Sequence, residues 1–86
     1  MASYRVEWKR SAEKELRKLP REVVPRIVEA VGGLRANPVP QGSRKLVGSE
    51  HNYRIRVGDY RVVYSLFQDR LIVEVIRVGH RREAYR

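Results

Sequence analysis

The chain has no cysteine, only two histidines, and no apolar run approaching the ~20 residues that span a bilayer. Without cysteine there is no disulfide framework, no thiol nucleophile and no cysteine-ligated zinc or iron–sulfur site. Two histidines, with no carboxylates at ligand spacing, give no basis for a metal site, and no cofactor is expected. Neither a P-loop nor a dinucleotide-binding glycine pattern occurs; Gly32-Gly33 falls inside a helical pattern with no strand before it. The serines lack a nearby base or elbow motif, so serine hydrolase chemistry has no support. Met1 to Arg5 contains no signal-peptide apolar region, so a cytoplasmic protein without membrane attachment is expected. Lysine is scarce as well, with four against fifteen arginines.

What is present is positive charge. Nineteen Lys and Arg against ten Asp and Glu leave +9 on 86 residues. A chain this short removes about 60–65% of its unfolded surface from water, enough for one domain spanning residues 1–86. A small domain this basic is suited to a polyanion, and the arginine bias favours planar, two-pronged contacts with phosphate or carboxylate.

Tyr4 to Trp8 alternates apolar and charged residues as a short strand does. Ala12, Leu16 and Leu19 then share one helix face, and Pro20 closes that helix. Val24, Ile27, Val28, Val31 and Leu34 form a second stripe. Pro25 is tolerated only in a first turn, so this helix is expected to start near Arg21 or Glu22. Asn37-Pro38 stops it, and a loop runs to Ser43. Tyr53 to Val57 and Tyr60 to Leu66 alternate around Gly58-Asp59, which suits a type II′ turn. After a turn at Gln68-Asp69, Leu71 to Val78 is apolar enough for a central strand, with Gly79 expected to break it. The order β-α-α-β-β-β predicts an α+β fold: a small antiparallel sheet with the N-terminal helical pair on one face.

The two-residue turn sets Val57 opposite Tyr60, Arg56 opposite Arg61, Ile55 opposite Val62 and Tyr53 opposite Tyr64. One face then carries Tyr53, Ile55, Val57, Tyr60, Val62 and Tyr64 toward the helices. The other, expected to face solvent, carries Arg54, Arg56, Arg61, Val63 and Ser65. Like charges directly across an antiparallel pair repel, so a bound anion would relieve Arg56 against Arg61. Solvated arginines that discourage edge pairing are the alternative for any one of them. Three together beside the basic tail Arg81, Arg82 and Arg86 favour an anion site. Tyr85 adds a ring on which a base can stack, the combination that suits single-stranded RNA, although it could equally pack the tail against the sheet. Arg44, Lys45, Arg77, Arg82 and Arg86 are the surrounding RNA-binding candidates. The register of the last strand stays open, and with it the face on which Arg77 lies.

Lys45-Leu46-Val47-Gly48, the hairpin Tyr53-Arg54-Ile55-Arg56-Val57-Gly58-Asp59-Tyr60-Arg61, and the ending Val78-Gly79-His80-Arg81-Arg82-Glu83-Ala84-Tyr85 resemble the RelE toxins. These belong to the RelE/ParE superfamily of type II toxin–antitoxin systems, and the resemblance covers essentially the whole chain. It implies a metal-independent endoribonuclease that cuts mRNA in the ribosomal A site by 2′-hydroxyl attack on the adjacent phosphate. It also implies a toxin monomeric alone and hetero-oligomeric with a cognate antitoxin. On this resemblance Arg54 and Arg56 match two basic active-site residues and Arg61 a phosphate-binding arginine. Arg81 matches an arginine that stabilises the transition state or protonates the leaving group, and Tyr85 a base-stacking tyrosine. Some relatives carry a lysine at the position of Arg54 as a candidate general base. Arginine holds its proton far above neutral pH, so His80 or Tyr85 become the substitutes to consider. The rival readings are a ParE-type toxin acting on DNA gyrase and a basic RNA-binding module without catalysis.

Overall fold

The computed structural model describes residues 3–80. Strand β1 (Arg5–Trp8) leads into helices α1 (Arg10–Arg17) and α2 (Val24–Gly33). Strands β2 (Arg44–Lys45), β3 (Asn52–Val57), β4 (Tyr60–Phe67) and β5 (Ile72–His80) follow. The sheet order is β1-β5-β4-β3-β2. The β-α-α-β-β-β order holds, with the two-residue β2 added at the edge. β2 to β5 pair antiparallel, whereas β1 returns alongside β5 in parallel, so the sheet is mixed.

The hairpin forms in the expected register, Val57 opposite Tyr60 and Arg56 opposite Arg61. Gly58 takes φ 61, while Asp59 is not among the positive-φ residues, the combination a II′ turn requires. Three boundaries differ from the sequence expectation. Residues 21–23 form a turn and α2 begins only at Val24, leaving Pro25 in its first turn, where its missing N–H and its ring cost nothing. Leu71 stands outside β5 in a left-handed conformation, φ 55, with its carbonyl accepting the Arg5 N–H at 2.8 Å. Gly79 does not break β5, which continues through Gly79 and His80 opposite Arg61 and Tyr60.

Both helices pack on the Ile55/Val62/Tyr64 face. Ala12, Ile27, Val31 and Leu34 from the helical side meet Val62, Tyr64, Val73, Val75 and Val78 in one buried cluster. The spacing from Val75 to Val78 is odd for a strand, and a bulge explains it. Tyr64 pairs with Val75 but Val63 with Arg77, leaving Ile76 as the extra residue. The bulge returns Val78 to the core face and sets Arg77 on the other.

β1 pairs with β5 only as far as Val75, so the outer edge of β5 continues without a strand beside it. There Glu15 on α1 accepts the Val78 N–H at 2.9 Å through Oε1. Removing that acceptor orphans a part-buried donor, which costs about 1–3 kcal/mol. Glu15→Ala is therefore expected to speed Val78 amide exchange in native-state hydrogen-exchange measurements, while Glu15→Gln, which keeps an acceptor, stays close to the parent. Equal exchange in all three proteins would contradict the role assigned to this bond.

Candidate nucleic-acid interface

Paired residues in a sheet share a face, so the registers define rows that cross the strands. On the face away from the helices, one row runs Arg44, Arg54, Val63, Arg77 from β2 to β5. The next row runs Arg56, Arg61, Gly79. Five arginines thus occupy two neighbouring rows, with strands about 4.8 Å apart. Val57 and Tyr60 close the two-residue turn as a hydrogen-bonded pair. Arg56 and Arg61 are therefore a non-hydrogen-bonded pair, whose Cα atoms lie closer, near ~4.5 Å. A third row, Asn52, Ser65 and Glu74, extends to Glu7 on β1. Among the described strand residues, the open face therefore carries arginines from β2 through β5 and two carboxylates, Glu74 on β5 and Glu7 on β1, the latter paired with Arg5 at 3.1 Å.

Solvation of this face differs from the sequence expectation. Arg44 and Arg56 are exposed and Arg54 and Arg77 half-buried, but Arg61 is only 9% exposed. Val63 and Ser65 are buried with it. All three lie on β4, the middle strand, with β3 on one side and β5 on the other. The Ser65 hydroxyl donates to Asn52 Oδ1 at 2.6 Å. Arg61 also lies opposite Gly79, a position without a side chain. The arginines of this face thus grade from an embedded Arg61 to an exposed rim at Arg44 and Arg56. An embedded guanidinium keeps its place before a ligand arrives, and so stabilises developing charge with little reorganisation.

Two candidates fall elsewhere. Lys45 pairs with Tyr53 and therefore belongs to the helix-side face of the sheet, at its edge. His80 pairs with Tyr60, also on that side, and the two rings meet edge-on with centroids 5.6 Å apart. The register thus separates both from the arginine rows. Arg81, Arg82, Tyr85 and Arg86 lie outside the described residues. Arg77, whose face was open, joins the basic rows because of the bulge. Glu74 was missed as a member of this face, although strand alternation from Ser65 would have found it had the β5 register been known.

Beneath the face lies Tyr64, which is fully buried and stacks on Tyr53 with ring centroids 5.9 Å apart. Its hydroxyl donates to the Pro38 carbonyl at 2.6 Å, tying the loop after α2 to the centre of the sheet. Burial pushes the Tyr64 phenol up to about 12, with the Ser43 hydroxyl pulling the other way and Tyr53 adding to the rise.

The family model described as the ParE toxin of the type II toxin–antitoxin system parDE matches residues 6–85. The toxin RelG of Mycobacterium tuberculosis is 33% identical over 87 residues, covering 96% of this chain and 97% of the relative. The toxin RelE of the same organism is 34% identical over 84 residues, covering 96% and 87%. Among solved structures, the archaeal RelE in the RelE–RelB complex from Pyrococcus horikoshii superposes with a TM-score of 0.81 at 32% identity. That match covers 94% of this chain and 98% of its counterpart. The chain spans nearly the full length of these relatives, and it belongs to the RelE/ParE superfamily of type II toxin–antitoxin toxins.

Proposed function

We propose that the chain is an mRNA endoribonuclease that acts in the ribosomal A site and is silenced by a cognate antitoxin. The observation that carries this reading is the pair of arginine rows, with five guanidinium groups on one sheet face and Arg61 embedded among them. The RelE and RelG names of the relatives and the RelB partner of the Pyrococcus protein support it. In the reaction, a nucleotide's 2′-oxygen bonds to the adjacent phosphorus and the bond to the leaving 5′-oxygen breaks. The products are a 2′,3′-cyclic phosphate and a 5′-hydroxyl. The 2′-proton passes to a base and the leaving oxygen gains a proton, with Arg81 the donor that the family resemblance suggests.

Charge develops on the phosphate oxygens as it becomes five-coordinate, and Arg54, Arg56 and Arg61 stabilise that charge. Positioned donors of this kind contribute about 2.7–4 kcal/mol each in other active sites. Arg54 cannot take the 2′-proton, because guanidinium stays protonated at neutral pH. His80 packs on Tyr60 on the helix side, away from the arginine rows, which leaves Tyr85 as the remaining substitute base. The role needs no cofactor. Its site of action is the cytoplasm, where ribosomes translate, and the toxin is monomeric until an acidic antitoxin segment covers the basic face.

Primer extension on ribosome-bound mRNA tests the reading. Purified protein is expected to produce discrete breaks in the A-site codon, and Arg56→Ala to reduce them by at least about tenfold. The ParE description of the matching family model favours a second reading, inhibition of DNA gyrase. Intact message together with inhibited supercoiling would establish that reading instead. Salt-sensitive RNA binding with neither effect would leave a non-catalytic RNA-binding module.

A further inference from the structure

A cleft of about 670 Å³ opens where α2 passes the β2 end of the sheet, within the roughly 300–1,000 Å³ range of sites that hold a small organic ligand. Ala30 and Ile55 line it on the apolar side, and Gln41, Ser43, Arg44 and Arg56 on the polar side. It exists because β2 is short. The chain before Arg44 turns away, with Gly42 at φ 93 and the Ser43 N–H bonded to the Pro40 carbonyl at 3.0 Å. β3 therefore has no partner on that side beyond Arg54. The Asn52 carbonyl faces β2, where it accepts the Leu46 N–H at 2.9 Å. By alternation the Arg56 amide faces the same way, into the gap that β2 leaves.

Arg44 and Arg56 belong to two places at once. They line the cleft, and they end the two arginine rows of the open face. Both are exposed, and among the described residues neither has a carboxylate within ion-pairing distance.

We propose that this cleft is a nucleotide subsite, which receives the next base and phosphate of a single-stranded RNA running off the arginine face around the edge of β3. The proposal rests on the RNA-binding reading of that face. Ala30 and Ile55 provide an apolar wall for the base, Gln41 and the Arg56 amide offer hydrogen bonds to its edge, and Arg44 and Arg56 hold the phosphate. An acidic peptide strand laid along β3 is the competing occupant. Continuity of positive charge from Arg77 through Arg54 to Arg44, with no carboxylate between them in that row, favours a polyanion that follows the whole row.

The test is fluorescence anisotropy with 2′-O-methyl oligoribonucleotides, which lack the attacking hydroxyl, at about 0.15 M salt, where charge effects are screened beyond ~8 Å. A trinucleotide covers the rows, and a hexanucleotide also reaches the cleft. Gln41→Glu places a carboxylate at the cleft on an exposed loop residue. It is expected to weaken hexanucleotide binding about tenfold while leaving the trinucleotide unchanged. Ala30→Glu, with its melting temperature measured alongside, is expected to do the same. An unchanged hexanucleotide affinity in Gln41→Glu, or equal losses at both lengths, would overturn the subsite. A loss confined to an acidic peptide would assign the cleft to a protein partner and also overturn it. Failure of the parent protein to bind either oligonucleotide would instead overturn the reading of the face itself, and the subsite with it.

Discussion

Arg61→Met is expected to lower ribosome-dependent mRNA cleavage by about 10²–10³-fold with the melting temperature within a few degrees of the parent. The two effects separate because the side chain has two parts. Its guanidinium belongs to the arginine row proposed to hold the phosphate, and its aliphatic stem takes up space on the middle strand, where the residue is only 9% exposed. Methionine keeps most of the stem and removes the charge, relieving repulsion with Arg56. Arg61→Ala removes both parts, so it adds a stability loss of about 1–3 kcal/mol, on the order of the 0.5–3 kcal/mol common for single substitutions. Cleavage rates and thermal melts on both variants check this. Full activity in Arg61→Met would remove Arg61 from the site, and an unchanged melting temperature in Arg61→Ala would contradict its embedded position.

The second large effect lies beneath the site. Tyr64 is fully buried at the centre of the core, and truncating a large aromatic there costs about 3–5 kcal/mol. A domain of this size has roughly 4–13 kcal/mol in total, so Tyr64→Ala is expected to be largely unfolded at 37 °C. Tyr64→Phe keeps the ring and loses the bond to Pro38, a change of about 1 kcal/mol. It also removes a pH dependence. The phenol rises from 10.0 to about 12 on folding, so its contribution is complete below pH 10 and is lost as the pH climbs through 12. Denaturant midpoints of the parent are expected to fall more steeply between pH 10 and 12 than those of Tyr64→Phe. Parallel curves would show that the buried phenol does not titrate as its surroundings require.

How much of this the sequence disclosed depended on how locally each feature is determined. The β3–β4 register follows from the two-residue turn at Gly58-Asp59, because a tight turn leaves one pairing that buries Ile55, Val62 and Tyr64 together. The sequence alone therefore groups Arg54, Arg56 and Arg61 on one face. It does not place Arg77, because the bulge at Ile76 shifts the face of everything after it, and a bulge satisfies a core that strict alternation does not describe. Local propensity alone predicts that Gly79 ends the strand. It continues because the cross-strand pairing with Arg61 and Tyr60 extends past it. The parallel pairing of β1 with β5 joins residues some 67 positions apart, so no short-range pattern announces it. The burial of Arg61 depends on β4 being the middle strand, a fact of sheet order rather than of alternation.

The central claim, phosphodiester cleavage on the arginine face by the RNA's own 2′-hydroxyl, is tested most directly by one substitution in the substrate. Ribosomes are programmed with an mRNA that carries a single 2′-deoxynucleotide at the mapped break in the A-site codon, beside an all-ribose control. The ribose message is expected to be cut and the deoxy message to stay intact, with the protein bound equally to both complexes. Cutting of both messages would contradict attack by the 2′-oxygen, and survival of both would contradict the nuclease itself.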